Sequence, residues 1–519
     1  MTEPTESQPL PEADTPAPEE PKPAPKKAAK KVTKKTAKTV AKEVTAEASS
    51  SAESEEPKKF GRVPGGGPLV KRSDGSGPSD EQIAKRQEEK SNQGGEETGA
   101  GKTEGYEEDG NKKRRRRRRR GGRREGEDGE FEERPAPKLD GPKLECDGML
   151  ELAPKGFGFL RVQEKDYEQA RDDVFVPPET IRRLNLRVGQ WIHGLYQEGP
   201  RGPQLVEITT INGQAPEEAM KLPHFEELKA INPDKRISFE TTPERYTTRV
   251  VDIMAPVGKG QRGLIVSPPR SGKTTLMLHM AEAIREKYDE SMHLMVLLVD
   301  ERPEEVTEFK RALPEAEIYA SSNDEQARNH CRLAELTIER AKRLVEAGQD
   351  VFLLMDSITR LARAYNNLGG GGGGKKGRGR GRGGIGSGGV RVGALEIPRR
   401  LFAAARNTRG GGSLTILGTA LIQTNSRADE AIFQEFKGTG NMELVLDRKI
   451  AENYIYPAVD IFKSGTRREE LLLPEHMLHK IYLIRRGLSG HRPVEAMERL
   501  LFFLKKFPNN PQMLMEIKG

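Results

Sequence analysis

The sequence predicts an α/β protein: a parallel-sheet core preceded by a small OB-like or cold-shock-like β-barrel and a disordered N-terminal tail. Three observations predict it. Residues 1–142 hold only three aromatics, Phe60, Tyr106 and Phe131. Residues 144–213 hold five short strand-like runs separated by turn residues. From about Arg249 onward, strand-like and helix-like segments alternate. That alternation is the pattern of a parallel sheet covered on both faces.

The tail comes first. Hydrophobic residues make up 34% of the 519 and charged residues 32%, too polar for one globule of that length. Residues 1–140 carry 31 Lys/Arg against 29 Asp/Glu. Such a segment cannot bury enough apolar surface to offset a chain entropy of about 1–2 kcal/mol per residue. Residues 1–142 therefore read as a disordered polyampholyte. Within it, Lys26–Lys42 is an Ala/Lys/Thr tract, and Lys112–Arg120 is an unbroken run of nine basic residues. The first reads as a solvated tail. The second reads as a sequence-blind attractor of phosphate. Two cysteines, Cys146 and Cys331, exclude a disulfide scaffold and a cysteine-based zinc site. No apolar stretch reaches the ~18 residues of a membrane span. The start, MTEPTESQPL, lacks a basic-then-apolar signal region. A cytoplasmic protein without a membrane partner is expected.

The barrel strands are read at Gly148–Leu152, Phe157–Val162, Asp173–Val176, Trp191–Gln197 and Leu205–Ile211, with one helix at Pro178–Leu186. Five short strands in about 70 residues suit a small barrel. Phe157 and Phe159 stand two apart, so both face one side of a strand. They either fill the barrel core or offer platforms for stacked bases. Residues 214–248 read as a connector, and residues 249–519 as the α/β domain.

In that domain Gly263–Val266 reads as a strand, followed by a Gly/Pro loop and a helix over Lys273–Tyr288. Further strands are read at Leu294–Val299, Ile318–Ser321, Val351–Met355 and Leu414–Ile422, with a long helix over Asp324–Ala347. Residues 467–519 read as mainly helical. The segment Ser267–Thr274, SPPRSGKT, approximates a phosphate-binding loop with Ser in place of its first Gly. Backbone amides of Pro269–Thr275 other than proline (Arg270, Ser271, Gly272, Lys273, Thr274, Thr275) would curl round phosphates at a helix N-terminus. Lys273 would reach the β/γ oxygens and the Thr274 hydroxyl would hold Mg²⁺. Asp356 ends a buried strand, where an acid holds Mg²⁺; it could also cap the following helix, but its pairing with the phosphate loop favours the metal role. Glu301, past another strand, could take the proton of an attacking water. Gly369–Gly389 holds 14 glycines and five cations, Lys375 and Lys376 among them. A loop of that kind inside a domain is usually functional or a linker.

The chain resembles the bacterial transcription termination factor Rho family. The resemblance rests on GFGFLR (Gly156–Arg161), GQRGLIVSPPRSGKT (Gly260–Thr274), VDERPEEVTE (Val299–Glu308) and MDSITRLARAYN (Met355–Asn366). It continues through EFKGTGNMEL (Glu435–Leu444) and SGTRREELL (Ser464–Leu472), and covers roughly residues 147–500. It implies a RecA-like ATPase core assembled as a ring-shaped homohexamer, with ATP and Mg²⁺ as cofactors. It implies translocation along nascent RNA and release of that RNA from RNA polymerase. It further implies Arg467 as an arginine finger from a neighbouring subunit, Tyr456 stacked on adenine, and Asp300 and Arg302 flanking the base. Phe157, Phe159, Phe175 and Arg161 are implied to meet RNA in the barrel, with Arg161, on the same strand face, a phosphate or base-edge donor. Lys437 and Gly438 are implied to meet it in the central channel, and Lys375 and Lys376 fall where a second channel loop belongs.

Three features depart from the family pattern. The helical module usual ahead of the barrel is replaced by the tail. The last barrel hairpin, Gly199–Leu205, reads GPRGPQL without the acidic and aromatic residues that often complete a cytosine pocket. Asn453 and Tyr454 stand where two arginines are common. Two other readings compete: a rotary ATP synthase-type catalytic subunit with the same core, and a nonenzymatic RNA-binding protein led by the arginine-rich run.

Overall fold

The computed structural model describes residues 141–368 and 386–517. The tail of residues 1–140 and the Gly-rich stretch with Lys375 and Lys376 lie outside the described residues.

Five strands form the barrel: β1 (Leu144–Leu152), β2 (Gly158–Arg161), β3 (Val174–Val176), β4 (Trp191–Gly199) and β5 (Gly202–Ile211). They close in the order β1-β2-β3-β5-β4. Only β3 and β5 run parallel, meeting at Phe175 and Gln204. Inward residues Leu150, Leu160, Val176, Ile192, Leu205 and Ile211 form the barrel core. β1 begins four residues earlier than the sequence predicts. Its first half is mostly exposed and carries Glu145 and Asp147, so no continuous apolar run marks it.

The α/β domain adds β6 (Lys229–Ile231), β7 (Arg236–Ile237), β8 (Val257–Gly258), β9 (Arg262–Ser267), β10 (His293–Glu301) and β11 (Glu317–Ser322). Next come β12 (Val351–Asp356), β13 (Arg406–Arg409), β14 (Ser413–Leu421), β15 (Met442–Val445) and β16 (Gly465–Thr466). The main path is β11-β10-β12-β14-β9-β15-β16. From β11 to β15 every neighbouring pair is parallel. Antiparallel β13 joins β14 to β6, which lies in the stretch read as a connector. β7 and β8 form a separate two-stranded ribbon.

Alternation within the strands explains the two covered faces. In β10, Leu294, Val296 and Leu298 enter one apolar cluster, while Met295, Leu297 and Val299 enter the other. β12 does the same, with Phe352 and Leu354 against Val351, Leu353 and Met355. Successive side chains point to opposite faces, so a strand buried on both sides reads as a continuous apolar run. The helices Lys273–Tyr288 and Ala327–Glu346 contribute to opposite clusters.

The barrel packs on the Ala327–Glu346 helix and on β11. Tyr167 of the barrel stacks on Tyr319 of β11, ring centroids 4.5 Å apart. Gly189 sits at φ +85, and a Cβ there would lie 2.5 Å from the backbone of Glu339 and Arg340. We predict that Gly189→Ala destabilises the protein by at least about 1–2 kcal/mol from the left-handed backbone alone. Denaturant melting and faster proteolysis between the barrel and the α/β domain would register it.

Candidate nucleotide and RNA sites

Strand order brings the phosphate loop and both acidic residues together. β9 delivers the loop, and β12 and β10 end at Asp356 and Glu301. In an open α/β sheet, ligands bind beyond the carboxyl ends of the parallel strands. Within the loop Ser267 fills the place usual for Gly. Its hydroxyl lies 2.9 Å from that of Ser271, which in turn donates to the Pro268 carbonyl at 2.8 Å. Two hydroxyls thus hold the turn shut. Gly272 takes φ +83 and opens the Lys273–Tyr288 helix, leaving its first amides pointing outward. Pro269, Arg270 and Thr275 are exposed, Ser271 is buried, and Lys273 and Thr274 are half-buried.

Lys273 reaches across to the acids. Its Nζ lies 2.8 Å and 2.6 Å from the two oxygens of Asp356 and 3.7 Å from Glu301. Asp356 is fully buried and also accepts from the Thr419 hydroxyl at 2.6 Å. Burial pushes the Glu301 carboxyl up to about 7; Lys273 opposes the rise and Asp356 adds to it. For Lys273, burial favours the neutral amine, yet Asp356 and Glu301 outweigh it and hold the pKa above the usual lysine value. Asp356 Oδ2 and Glu301 Oε2 are buried, with the Lys273 ammonium 2.6 Å and 3.7 Å away as their counter-charge. Asp356 and the Thr274 hydroxyl offer hard oxygen donors that suit Mg²⁺ shared with phosphates. Among the described residues no cluster of three or more His, Cys, Asp or Glu forms a metal cage.

Other residues at this site were not singled out from the sequence. Arg360 donates to Glu301 at 3.3 Å and to the Asp300 carbonyl. Glu305 accepts from the Thr274 hydroxyl at 3.2 Å. Both lie inside motifs already quoted, but nothing linear shows that Arg360 turns toward the neighbouring strand. Asp300 adopts φ +54, and Arg302 is exposed. The half-exposed Tyr456 ring covers the loop, since a Cβ on Gly272 would meet it at 3.3 Å. Arg467 is exposed and stands apart from Lys273 in its contacts. Its amide donates to the Asn441 carbonyl at 2.9 Å, and it lines a cavity of about 240 Å³ with Gly440–Glu443. Lys437 ends the Arg427–Lys437 helix and Gly438 follows it, both exposed.

On the barrel, Phe157, Phe159 and Phe175 form a triad with centroids 5.6–5.8 Å apart. All three are half-buried, and none belongs to the barrel core. One expectation is corrected here. Arg161 is not a free donor: it is 5% exposed and ion-paired with Glu151 at 2.5 Å and with Asp173. The strand period places it on the Phe face, but Glu151 of β1 and Asp173, just before β3, capture it. Its guanidinium carbon lies 5.2 Å from the Phe159 ring centroid, so it braces the platform.

An OB-type barrel bearing an aromatic face and a parallel-sheet phosphate loop backed by Glu301 and Asp356 define an RNA-binding ATPase. Family models agree. Residues 146–217 match the Rho termination factor RNA-binding domain. Residues 247–466 match the ATP synthase alpha/beta family nucleotide-binding domain. Three curated relatives bear the name transcription termination factor Rho. The Cereibacter sphaeroides protein is 45% identical over 72% of this chain and 87% of its own length. The Aquifex aeolicus protein is 44% identical over 71% and 83%. The Pseudomonas aeruginosa protein is 46% identical over 73% and 89%. The chain belongs to the transcription termination factor Rho family. Among the described residues no helix is long and apolar enough to cross a membrane.

Arg161→Ala would leave Asp173 buried without its cation. The expected loss is about 3–5 kcal/mol, whereas Lys437→Ala at an exposed helix end changes stability by less than about 0.5 kcal/mol. Parallel denaturant melts of the two variants check this.

Proposed function

We propose that the chain is an RNA-dependent ATPase that moves 5′→3′ along nascent RNA and frees it from RNA polymerase in the cytoplasm. The observation that carries this reading is the aromatic triad outside the barrel core, in the same chain as the Lys273–Asp356–Glu301 cluster. Three adjoining half-buried rings have no packing role in the barrel core and offer stacking surfaces of about 1–3 kcal/mol per base. The ATP synthase-type reading shares the nucleotide-binding domain but leaves these rings without a use.

Each side chain then has a task. Lys273 exchanges its carboxylate partners for the β/γ phosphates, which frees Glu301 for catalysis. Thr274 and Asp356 would hold Mg²⁺, which supplies charge neutralisation on the phosphates. Glu301 takes the proton of the attacking water, and its raised pKa suits a base working near neutrality. Arg360 fixes the direction of the Glu301 carboxylate. Tyr456 receives the adenine, with Asp300 and Arg302 at its edge. Arg467, remote from its own phosphate loop, serves the site of the next subunit in a homohexameric ring. Lys437 and Gly438 line the channel through that ring.

Lys273→Ala should lower ATP turnover by at least about 10²-fold, the scale of losing one preorganised charge contact, and leave RNA binding by the barrel intact. Undiminished turnover would sink the reading. Because the unprotonated Glu301 is the active form, kcat/KM should rise with pH through about 7. A profile flat from about pH 6 to about pH 8, on the order of one unit either side of that value, would remove Glu301 as the base.

A further inference from the structure

A series of polar contacts runs from the barrel's aromatic face to the catalytic strand. Arg161 lies against Phe159 and donates to Glu151 Oε2. Glu151 also accepts from Arg332, Nε to Oε1 at 2.7 Å and Nη2 to Oε2 at 2.9 Å. The same guanidinium donates to the Tyr167 carbonyl at 2.7 Å. Arg332 belongs to the Ala327–Glu346 helix, not to the barrel. Two residues before it, His330 Nδ1 lies 2.9 Å from the Ser321 hydroxyl. Ser321 pairs with Val299 across β11 and β10. Just beyond, the Asn323 amide donates to the Glu301 carbonyl at 3.0 Å.

The Glu151 carboxylate is the junction. Partial burial alone would raise its pKa, yet Arg332 and Arg161 hold it below the ordinary glutamate range. It is therefore ionised at neutral pH and shared by two guanidinium groups from two domains. Two-pronged guanidinium–carboxylate pairs fix orientation as well as distance. A base stacked on Phe159 competes for the face and charge of Arg161. As Arg161 turns toward the base, Glu151 is left to Arg332, and the helix it pulls on carries the His330–Ser321 contact. RNA thereby gains a different free energy in the two arrangements, which any ligand-driven shift requires.

We propose that Glu151 and Arg332 are positioning residues that transmit RNA occupancy of the barrel to Glu301. This rests on the RNA-dependent ATPase reading. Contiguous contacts do not by themselves establish coupling, so the test reads coupling directly.

The full chain is titrated with polycytidylate RNA while steady-state ATP turnover is followed. Wild-type turnover rises with RNA. Arg332→Gln should lower the RNA-stimulated maximum by about fivefold or more, the lower bound of typical coupling between sites. The RNA concentration at half-stimulation and the RNA-free rate should stay within about twofold, a change too small to count as coupling. Arg332→Lys, which keeps a cation opposite Glu151, should recover most of the stimulation. If Arg332→Gln folds poorly, Glu151→Gln combined with Arg332→Gln leaves no bare charge at the seam and must also lose stimulation. A variant stimulated as fully as wild type overturns the proposal. So does a variant whose RNA-free and stimulated rates fall together with its melting temperature, since the pair is then structural only. Wild-type turnover indifferent to RNA would instead remove the RNA-dependent reading, and the coupling with it.

Discussion

One ammonium group holds two buried carboxylates at the ends of adjacent strands. Lys273 satisfies Asp356 and Glu301 before any phosphate is present. Without it, two acids would lie together in a site where charge is costly to bury. The sheet order follows from the same need. β12 stands beside β10, and β14 separates β12 from β9, so the lysine at the head of the β9 loop helix spans the gap to both acids. A phosphate entering the loop competes for this cation, which ties nucleotide binding to the state of Glu301.

That site was largely legible in the sequence, because its parts are local. SPPRSGKT needs only a strand before it and a helix after it, and the Lys273–Tyr288 helix falls where the periodicity places it. The continuous apolar runs of β10 and β12 announce strands buried on both faces. What was not legible depends on partners far apart in the chain. β6 and β13 are only three and four residues long, and each is fixed by pairing with a strand far away in the chain, β6 with β13 and β13 with β14. Arg161 reads as an exposed donor from the strand period, but Glu151 and Asp173 come from other segments and bury it. Arg360 and Glu305 sit inside recognisable motifs, yet their directions are set by the neighbouring strand and loop.

The barrel illustrates how a small domain keeps apolar groups outside its core without collapse. Its interior is already filled by Leu150, Leu160, Val176, Ile192, Leu205 and Ile211, so Phe157, Phe159 and Phe175 pack on one another. Edge-to-face and tilted contacts at these distances are favourable, and Arg161 closes one side. Gln204 stands opposite Phe175, in the hairpin that lacks the family's acidic and aromatic residues.

The proposed movement of the protein along RNA is driven by ATP hydrolysis at this sheet. Its most direct test is release of a labelled DNA strand from an RNA:DNA duplex that carries a single-stranded RNA overhang. The account predicts ATP-dependent release when the overhang is 5′ to the duplex, and none when it is 3′. Release without ATP, or ATP turnover with neither duplex displaced, would contradict it.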